Sequence, residues 1–516
     1  MKLVLFTMGQ NSRSAHRAVL LIIFAAALLY AAGLSPYLQG GGDDIYYLTV
    51  AKSLLEGKGF ASGHLVGNPP DTYHTPFFPV LLAGLYRFFP NDYVLLKLAS
   101  LVPMLIAIYL VFRLALEYVS PRQATIISLL FALNPLVFRS THDILNEPLF
   151  IVLSTAALLC LKRYNETRSY DGWPFWGSIL FASASYYTRS MGIPLLMTAV
   201  LYFLVQKKWK KALLIGSGIA LLVAPWLVRQ ALLGPSSELQ LTYAPFYFAQ
   251  DPTDPYSPAV TLTGLALRVL RKGTGYLVRE LPALITFSDF FDGVSLAYFQ
   301  PIFLLIMTLG LFLSMPVLVG YLRSVRQGRL LLALYVPLYF APLVTCSFSS
   351  PRFLVPLSPL LLLFLVEGMM SLPMHRWSRL AVVVIIAITL ISDGAELRRS
   401  HAVEVPTQGE WQLVEWMKEN SSPDTVLMGG PIGILYLHTG RQGVPLWGKL
   451  TQQEILDRIQ RYGVDYVSLY SDADYSQDAA SAQTARNLTE LIQNHVDRFV
   501  LVCENEDVAL YSVELP

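Results

Sequence analysis

Charged residues are scarce: Asp, Glu, Lys and Arg make up 14% of the 516 residues, against about 25% in soluble domains. Set beside a hydrophobic content of 54%, this excludes both an ordinary soluble enzyme and a disordered chain. Neither sign of charge dominates. Lys and Arg number 38 and Asp and Glu 36, a net +2, which gives no electrostatic case for nucleic-acid binding. The three cysteines, Cys160, Cys346 and Cys503, are far apart and follow no ligand spacing, which argues against a zinc site or a disulfide framework. No internal repeat is visible. What the chain has instead is a series of long apolar runs, the mark of a polytopic membrane protein.

A membrane span needs about 20 mostly apolar residues. Candidate spans lie near 17–38, 95–118, 123–140, 148–163, 172–188, 191–206, 212–230, 299–322, 330–347, 353–371 and 379–393. Arg13, His16 and Arg17 precede the first, and no small-residue cleavage site follows it, so it reads as a retained helix and not a signal peptide. The stretch 76–90 is apolar but short, and holds Pro76, Pro79 and Arg87. Charge asymmetry decides whether it crosses, because Lys and Arg concentrate in short cytoplasmic loops. With the N-terminus inside and 76–90 lying at the interface, the inner loops receive Lys162/Arg163/Arg168, Lys207/Lys208/Lys210/Lys211, Arg323/Arg326/Arg329 and Arg376/Arg379. If 76–90 crossed, those clusters would all face outward. The expectation is therefore about eleven spans with an exterior C-terminus.

From about Glu396 the composition changes. Glu410 to Met417 and 451–461 read as helices. Thr425 to Met428 and Tyr466 to Tyr470 read as buried strands, and Arg498–Glu504 pairs with Val508–Val513 as the last two. This alternation predicts a small exterior α/β domain, with no Gly-rich phosphate loop or metal cluster in it. The expected organisation is a membrane domain over 1–393, with exterior loops at 39–90 and 231–298, and a soluble domain over 394–516. The loop 231–298 is rich in Pro, Tyr and Phe and reads as a cover or a surface-lying segment. Asn420-Ser421-Ser422 and Asn487-Leu488-Thr489 match the glycosylation acceptor pattern, a triplet that also arises by chance.

On this topology the costly polar groups collect at one face. Asp43-Asp44 follow the first span, His74 precedes the interfacial helix, Asp143 and Glu147 lie between the third and fourth spans, Arg189 lies between the fifth and sixth, and Arg352 opens the tenth. Ionisable groups at membrane depth are expensive and usually functional, so their shared depth predicts one cavity. Behind Gly40-Gly41-Gly42, Asp43-Asp44 serve on the plainer reading as a helix cap; on the functional one, a carboxylate there takes a proton from an attacking hydroxyl. Asp143 and Glu147 share a face if helical, although Pro148 favours a boundary. They read either as a solvated loop or as an acidic wall that orients sugar hydroxyls or, with Asp43, holds magnesium or manganese. Arg189 and Arg352 either snorkel to the headgroups or, with His74, hold a lipid phosphate, whose oxygens a guanidinium fork matches.

The run Asp43-Asp44-Ile45-Tyr46-Tyr47-Leu48-Thr49-Val50-Ala51-Lys52-Ser53-Leu54-Leu55-Glu56-Gly57-Lys58-Gly59-Phe60 resembles the start of the GT-C membrane glycosyltransferases, nearest to the bacterial branch of glycosyltransferase family 39. The chain is similar to protein O-mannosyltransferases and lipid A aminoarabinose transferases. His74-Thr75-Pro76-Phe77-Phe78-Pro79 resembles the family's (Lys/His)-Pro-Pro element, and Arg352-Phe353-Leu354-Val355-Pro356-Leu357-Ser358-Pro359 its Arg-Tyr-Leu-Leu-Pro element. Leu435 to Arg441 and Tyr462 to Val467 resemble its extracytoplasmic domain. The resemblance implies an enzyme of the bacterial cytoplasmic membrane, N-terminus inside, that takes a sugar from a polyprenyl-phosphate donor on the outer face. The acceptor is a lipid, a glycan or a protein. Asp43 matches the family's catalytic aspartate, an expected base in an inverting displacement, and Asp44 stands where many relatives carry Glu. Asp143 and Glu147 fall in its second acidic loop. His74, where some branches carry lysine, would join Arg189 and Arg352 in stabilising the departing phosphate. No cofactor is required on this reading. The rivals are a flippase of lipid-linked sugars, against which the lack of repeats and midplane charges argues, and a non-catalytic envelope-assembly protein.

Overall fold

The computed structural model describes residues 10–38, 42–167, 172–233, 238–240, 243–251, 254, 257–286, 300–371, 375–401, 408–446, 448–470 and 479–514. Gly40 and Gly41, and the part of the loop 231–298 beyond 286, lie outside the described residues. The chain forms two compact units and passes repeatedly between them. One comprises Met1–Ser35, Lys97–Leu227 and Leu265–Ala402; the other Pro36–Leu96, Val228–Gly264 and Val403–Pro516.

The first unit is a helical membrane bundle. Six described helical segments are long and apolar enough to cross a bilayer: Arg13–Ala32, Tyr93–Leu116, Trp209–Leu233, Met307–Arg326, Pro351–Ser371 and Leu380–Ser400. Ser190–Val205 and Leu330–Thr345 are shorter apolar helices. Of the other expected spans, 148–163 and 172–188 fall on the helices Glu147–Glu166 and Trp173–Thr188, whereas 123–140 is not one helix: it divides into Pro121–Ala132 and Pro135–Arg139, because Asn134 caps a new helix that Pro135 opens. Burial sorts them. Ser358–Ser371 is enclosed along almost its whole length, whereas Leu21, Phe24, Val383 and Ile391 on the outer helices are exposed, an apolar surface suited to lipid and not to water. The main helix pairs are Glu147–Glu166 with Trp173–Thr188, and Gln300–Arg326 with Ser358–Ser371.

The second unit carries a five-stranded sheet of order β2-β1-β3-β5-β4. Its strands are β1 (Val426–Met428), β2 (Gln442–Val444), β3 (Tyr466–Tyr470), β4 (Phe499–Glu504) and β5 (Val508–Val513). β1 runs parallel to β2 and β3, while β5 lies antiparallel between β3 and β4. The four expected strands are present; β2 and the helices Ile432–Thr439 and Ala479–Asn494 are additions. The unit takes in more than the C-terminal segment. Leu65 bridges Gly443 in parallel beyond β1's partner strand, and Lys52 donates to the carbonyls of Tyr436 (2.7 Å) and Leu437 (2.9 Å). Helix Asp43–Leu55 ends where Gly57 adopts φ +75°, a left-handed turn that a residue with a Cβ resists. Helix Phe77–Tyr86 packs on it. Its 10 residues rise about 15 Å, half of a hydrocarbon core of about 30 Å, so it cannot span one.

Candidate functional site

The residues singled out in the sequence divide between the units: Asp43, Asp44 and His74 in the second, Asp143, Glu147, Arg189 and Arg352 in the first.

In the second unit, Gly42 is the N-cap of helix Asp43–Leu55, and both acids stand in its first turn, where the macrodipole favours negative charge. Asp44 is buried and its Oδ1 accepts from the Ile45 amide at 2.9 Å. Asp43 is half-buried, the more exposed of the two. The next turn supplies Tyr46 and Tyr47. Burial, and then the charge of Asp43, push the Tyr46 phenol up to about 12. The His74 ring lies 5.1 Å from that of Tyr47, edge to face, and stacks with Tyr46 at 6.5 Å.

His74 has a partner the sequence reading missed. Its Nδ1 lies 2.9 Å from Oδ2 of Asp71, a carboxylate 2% exposed. Burial works to lower the imidazole, but the charge and hydrogen bond of Asp71, with help from Asp43, outweigh it and raise His74 above its ordinary value. Asp71 is held down in turn: burial opposes its ionisation, and the charge and hydrogen bonds of His74 overcome that. The spacing Asp71-Thr72-Tyr73-His74 was the available signal, since an Asp three residues before a His can reach its ring when the chain turns between them.

In the first unit the arrangement centres on Glu147. It is the first residue of helix Glu147–Glu166 and fully buried. Its Oε1 accepts from Arg352 Nε at 2.6 Å and forms an ion pair with Arg189, whose Nη1 lies 2.8 Å away. Arg189 stands at the extended C-cap of helix Trp173–Thr188 and also donates to Asn146 Oδ1 at 2.8 Å. Asn146 in turn donates to the Thr188 carbonyl at 2.9 Å. Arg352 sits in the 3₁₀ turn Pro351–Leu357, where Ser350 Oγ accepts from its amide. Asp143 precedes the helix, so it and Glu147 do not share a helical face: Pro148 fixes the boundary. Burial pushes the Asp143 carboxyl up to about 6, against the charges of Lys97, Arg352 and Arg139. One oxygen each of Asp143 (Oδ1) and Glu147 (Oε2) is buried with no hydrogen-bond partner among the described residues. Lys97, whose Nζ donates to Ser35 at 3.0 and 3.1 Å, was also missed; it reads as an ordinary residue at the start of a span. Among the described residues no group of three or more His, Cys, Asp or Glu is placed to hold a metal ion.

Known proteins bear on this geometry at two levels. A family model described as dolichyl-phosphate-mannose-protein mannosyltransferase matches residues 73–228, a stretch that contains His74, Asp143, Glu147 and Arg189. No curated protein sequence matches the chain. Among solved structures the fold is similar to ArnT from Cupriavidus metallidurans bound to undecaprenyl phosphate, with a TM-score of 0.60 at 12% identity over 96% of this chain and 97% of that one. It is similar to the Archaeoglobus fulgidus oligosaccharyltransferase in complex with zinc and sulfate, with a TM-score of 0.54 at 14% identity over 87% of this chain and 68% of that one. The arabinofuranosyltransferase AftD from Mycobacteria gives a TM-score of 0.50 at 13% identity, over 97% of this chain and 40% of that one. At these identities the likeness is one of fold. The family model thus covers residues 73–228 alone, and over the rest of the chain the likeness is to the fold of these membrane glycosyltransferases.

Proposed function

We propose that the protein transfers a sugar from a polyprenyl-phosphate donor to the hydroxyl of a lipid, glycan or protein on the outer face of the membrane. The observation that carries this reading is the Glu147 cluster. Two guanidinium groups converge on one buried carboxylate, and one oxygen each of Asp143 and Glu147 has no hydrogen-bond partner among the described residues. Guanidinium forks match phosphate oxygens, and carboxylate oxygens lacking a donor match sugar hydroxyls. ArnT, which shares the fold, was solved with undecaprenyl phosphate bound.

The chemistry follows from these groups. The acceptor hydroxyl gives its proton to Asp43 while its oxygen attacks the anomeric carbon. The bond from that carbon to the phosphate oxygen breaks, and the lipid phosphate leaves with the electron pair, so the anomeric configuration inverts. Arg189, Arg352 and His74 stabilise the departing negative charge. Asp143 and Glu147 orient the sugar, and Asp44 holds the helix start that carries Asp43.

Purified protein in detergent, given radiolabelled polyprenyl-phosphate sugars and a membrane-lipid acceptor extract, tests this. Wild type transfers label, and Asp43→Asn, folded equally well, loses about 10²–10⁴-fold of the rate. Equal transfer by both removes Asp43 as the base. Label that crosses a vesicle membrane with no transfer to any acceptor overturns the transferase reading in favour of a flippase.

A further inference from the structure

Where some branches of the resembling family carry lysine, this chain carries His74. The two are not equivalent, because an ordinary lysine titrates near 10.4 and is always charged at neutral pH, while an ordinary histidine titrates near 6.5 and is mostly neutral there. Burial makes the difference larger. His64 lies in the same loop, and burial pulls it down to about 4. His74 is enclosed by the same surroundings yet moves the other way.

The cause is a built socket around Asp71. Its Oδ1 accepts from the amides of Tyr73 (3.0 Å) and His74 (2.8 Å), and its Oδ2 accepts from Ser62 Oγ at 3.0 Å while facing His74 Nδ1 at 2.9 Å. The socket is clamped from a second segment: Arg229 donates to the carbonyls of Asp71 and Phe60, both at 3.0 Å, and Gln240 donates to Ser62 Oγ at 2.8 Å. With Nδ1 committed to the carboxylate, Tyr46 stacked along one face and Tyr47 and Tyr73 meeting the ring edge-to-face, Nε2 is the ring nitrogen left to meet a ligand.

We propose that Asp71 is a positioning residue: by holding Nδ1 of His74 it directs Nε2–H to the donor phosphate. This rests on the glycosyl-transfer reading above. The charged and titratable groups facing His74 are Asp43, Tyr46 and Tyr47 on helix Asp43–Leu55, and His64, Asp71 and Tyr73 on the loop; Arg229 approaches the backbone of Asp71. The sign is fixed by the direction of the shift. The folded value lies above 6.5, so the imidazolium is fully formed below pH 6.5 and is lost as the pH rises through the raised value. Donor affinity therefore falls with rising pH. Without Asp71, burial prevails and the fall moves to the acid side of 6.5.

The test uses the full-length protein in detergent and a polyprenyl methyl phosphate diester, whose own charge does not change between pH 5.5 and 8.5. Wild-type affinity falls on the alkaline side by up to about tenfold per pH unit. Asp71→Asn shifts that fall to lower pH and at pH 7.5 binds as weakly as His74→Ala. His74→Lys abolishes the fall, and in that background Asp71→Asn no longer moves the profile. Turnover of labelled donor by Asp71→Asn shows the loss in KM more than in kcat. If His74→Ala binds like wild type, His74 is not a donor ligand and that part of the glycosyl-transfer reading fails. If His74→Ala loses binding while Asp71→Asn keeps the wild-type profile, only the role of Asp71 is overturned. Should Asp71→Asn not fold, a pH-dependent fall persisting in His74→Lys overturns it equally.

Discussion

At the scale of single residues, the strongest constraint is the one placed on Glu147. A fully buried carboxylate is tolerated only because Arg352 donates to it at 2.6 Å and Arg189 pairs with it at 2.8 Å, and each arginine is held by the same contact. Glu147→Gln leaves two guanidinium groups facing a neutral amide. Removing one partner of a buried ion pair costs about 3 kcal/mol, so the variant unfolds at a clearly lower temperature in a detergent melt at fixed scan rate. Restoring balance with Arg352→Met recovers part of that loss, because the two changes share a partner. An unchanged melting temperature in Glu147→Gln would show that the cluster carries no stabilising charge balance. The sequence made Arg189, Arg352 and Glu147 conspicuous as ionisable groups beside apolar runs, yet it could not show that they meet. Their contacts span 42 and 205 positions (147 to 189, and 147 to 352), and nothing local encodes such a pairing. Asp71 was overlooked for the opposite reason: it is three residues from His74, but among Pro69, Pro70 and Thr72 an Asp reads as ordinary turn chemistry.

At the scale of elements, the bundle depends on helices that approach backbone to backbone. A Cβ built on Gly320 of helix Gln300–Arg326 would fall onto the carbonyl oxygen of Phe364, and one built on Gly368 of helix Ser358–Ser371 onto that of Pro316. Neither obstacle is a side chain that can rotate away. In lipid, where no hydrophobic drive pulls one apolar helix toward another, such close contact between small residues is what holds a pair together. Gly320→Ala and Gly368→Ala each force the helices apart and cost about 1–3 kcal/mol, read as a lower melting temperature and a smaller folded yield. Gly216→Ala is the control, since its Cβ would meet only Val200 Cγ2 at 3.5 Å, and it melts like wild type. The helices themselves were legible because 15 to 25 apolar residues in a row have few alternatives. So were β1, β3, β4 and β5, which alternate or are apolar throughout. β2 was not, because Gln442-Gly443-Val444 is three residues long and becomes a strand only by lying beside β1.

At the scale of the whole molecule, one helix ties the candidate cluster to the charge pattern. Helix Glu147–Glu166 has 20 residues and rises about 30 Å, the thickness of a hydrocarbon core. Glu147 with its two arginines stands at its start. At its other end Lys211 donates to the carbonyls of Tyr164 (2.5 Å) and Thr167 (2.7 Å), and Lys208 to Asn165 Oδ1 at 2.6 Å. The lysines that the sequence assigned to a cytoplasmic loop thus also cap the last carbonyls of that helix, where positive charge is favoured. The Glu147 cluster and the lysine loop therefore stand at opposite ends of one helix, as the expected topology requires. The division of the molecule into units was much less legible, because the second unit is assembled from three separate stretches, Pro36–Leu96, Val228–Gly264 and Val403–Pro516, and composition marked only the last. Orientation can be tested by labelling in a background with Cys160, Cys346 and Cys503 changed to Ser. Ser422 and Gln327 are both exposed, one beside the sheet-bearing segment and one in the turn after helix Gln300–Arg326. Ser422→Cys reacts with a membrane-impermeant maleimide in intact spheroplasts, and Gln327→Cys reacts only after lysis. Reaction of both in intact spheroplasts, or of neither, would mean that an odd number of crossings is missing or added between them. Reaction of Gln327→Cys alone would invert the molecule, and would require helix Phe77–Tyr86, at half the needed length, to be part of a crossing after all.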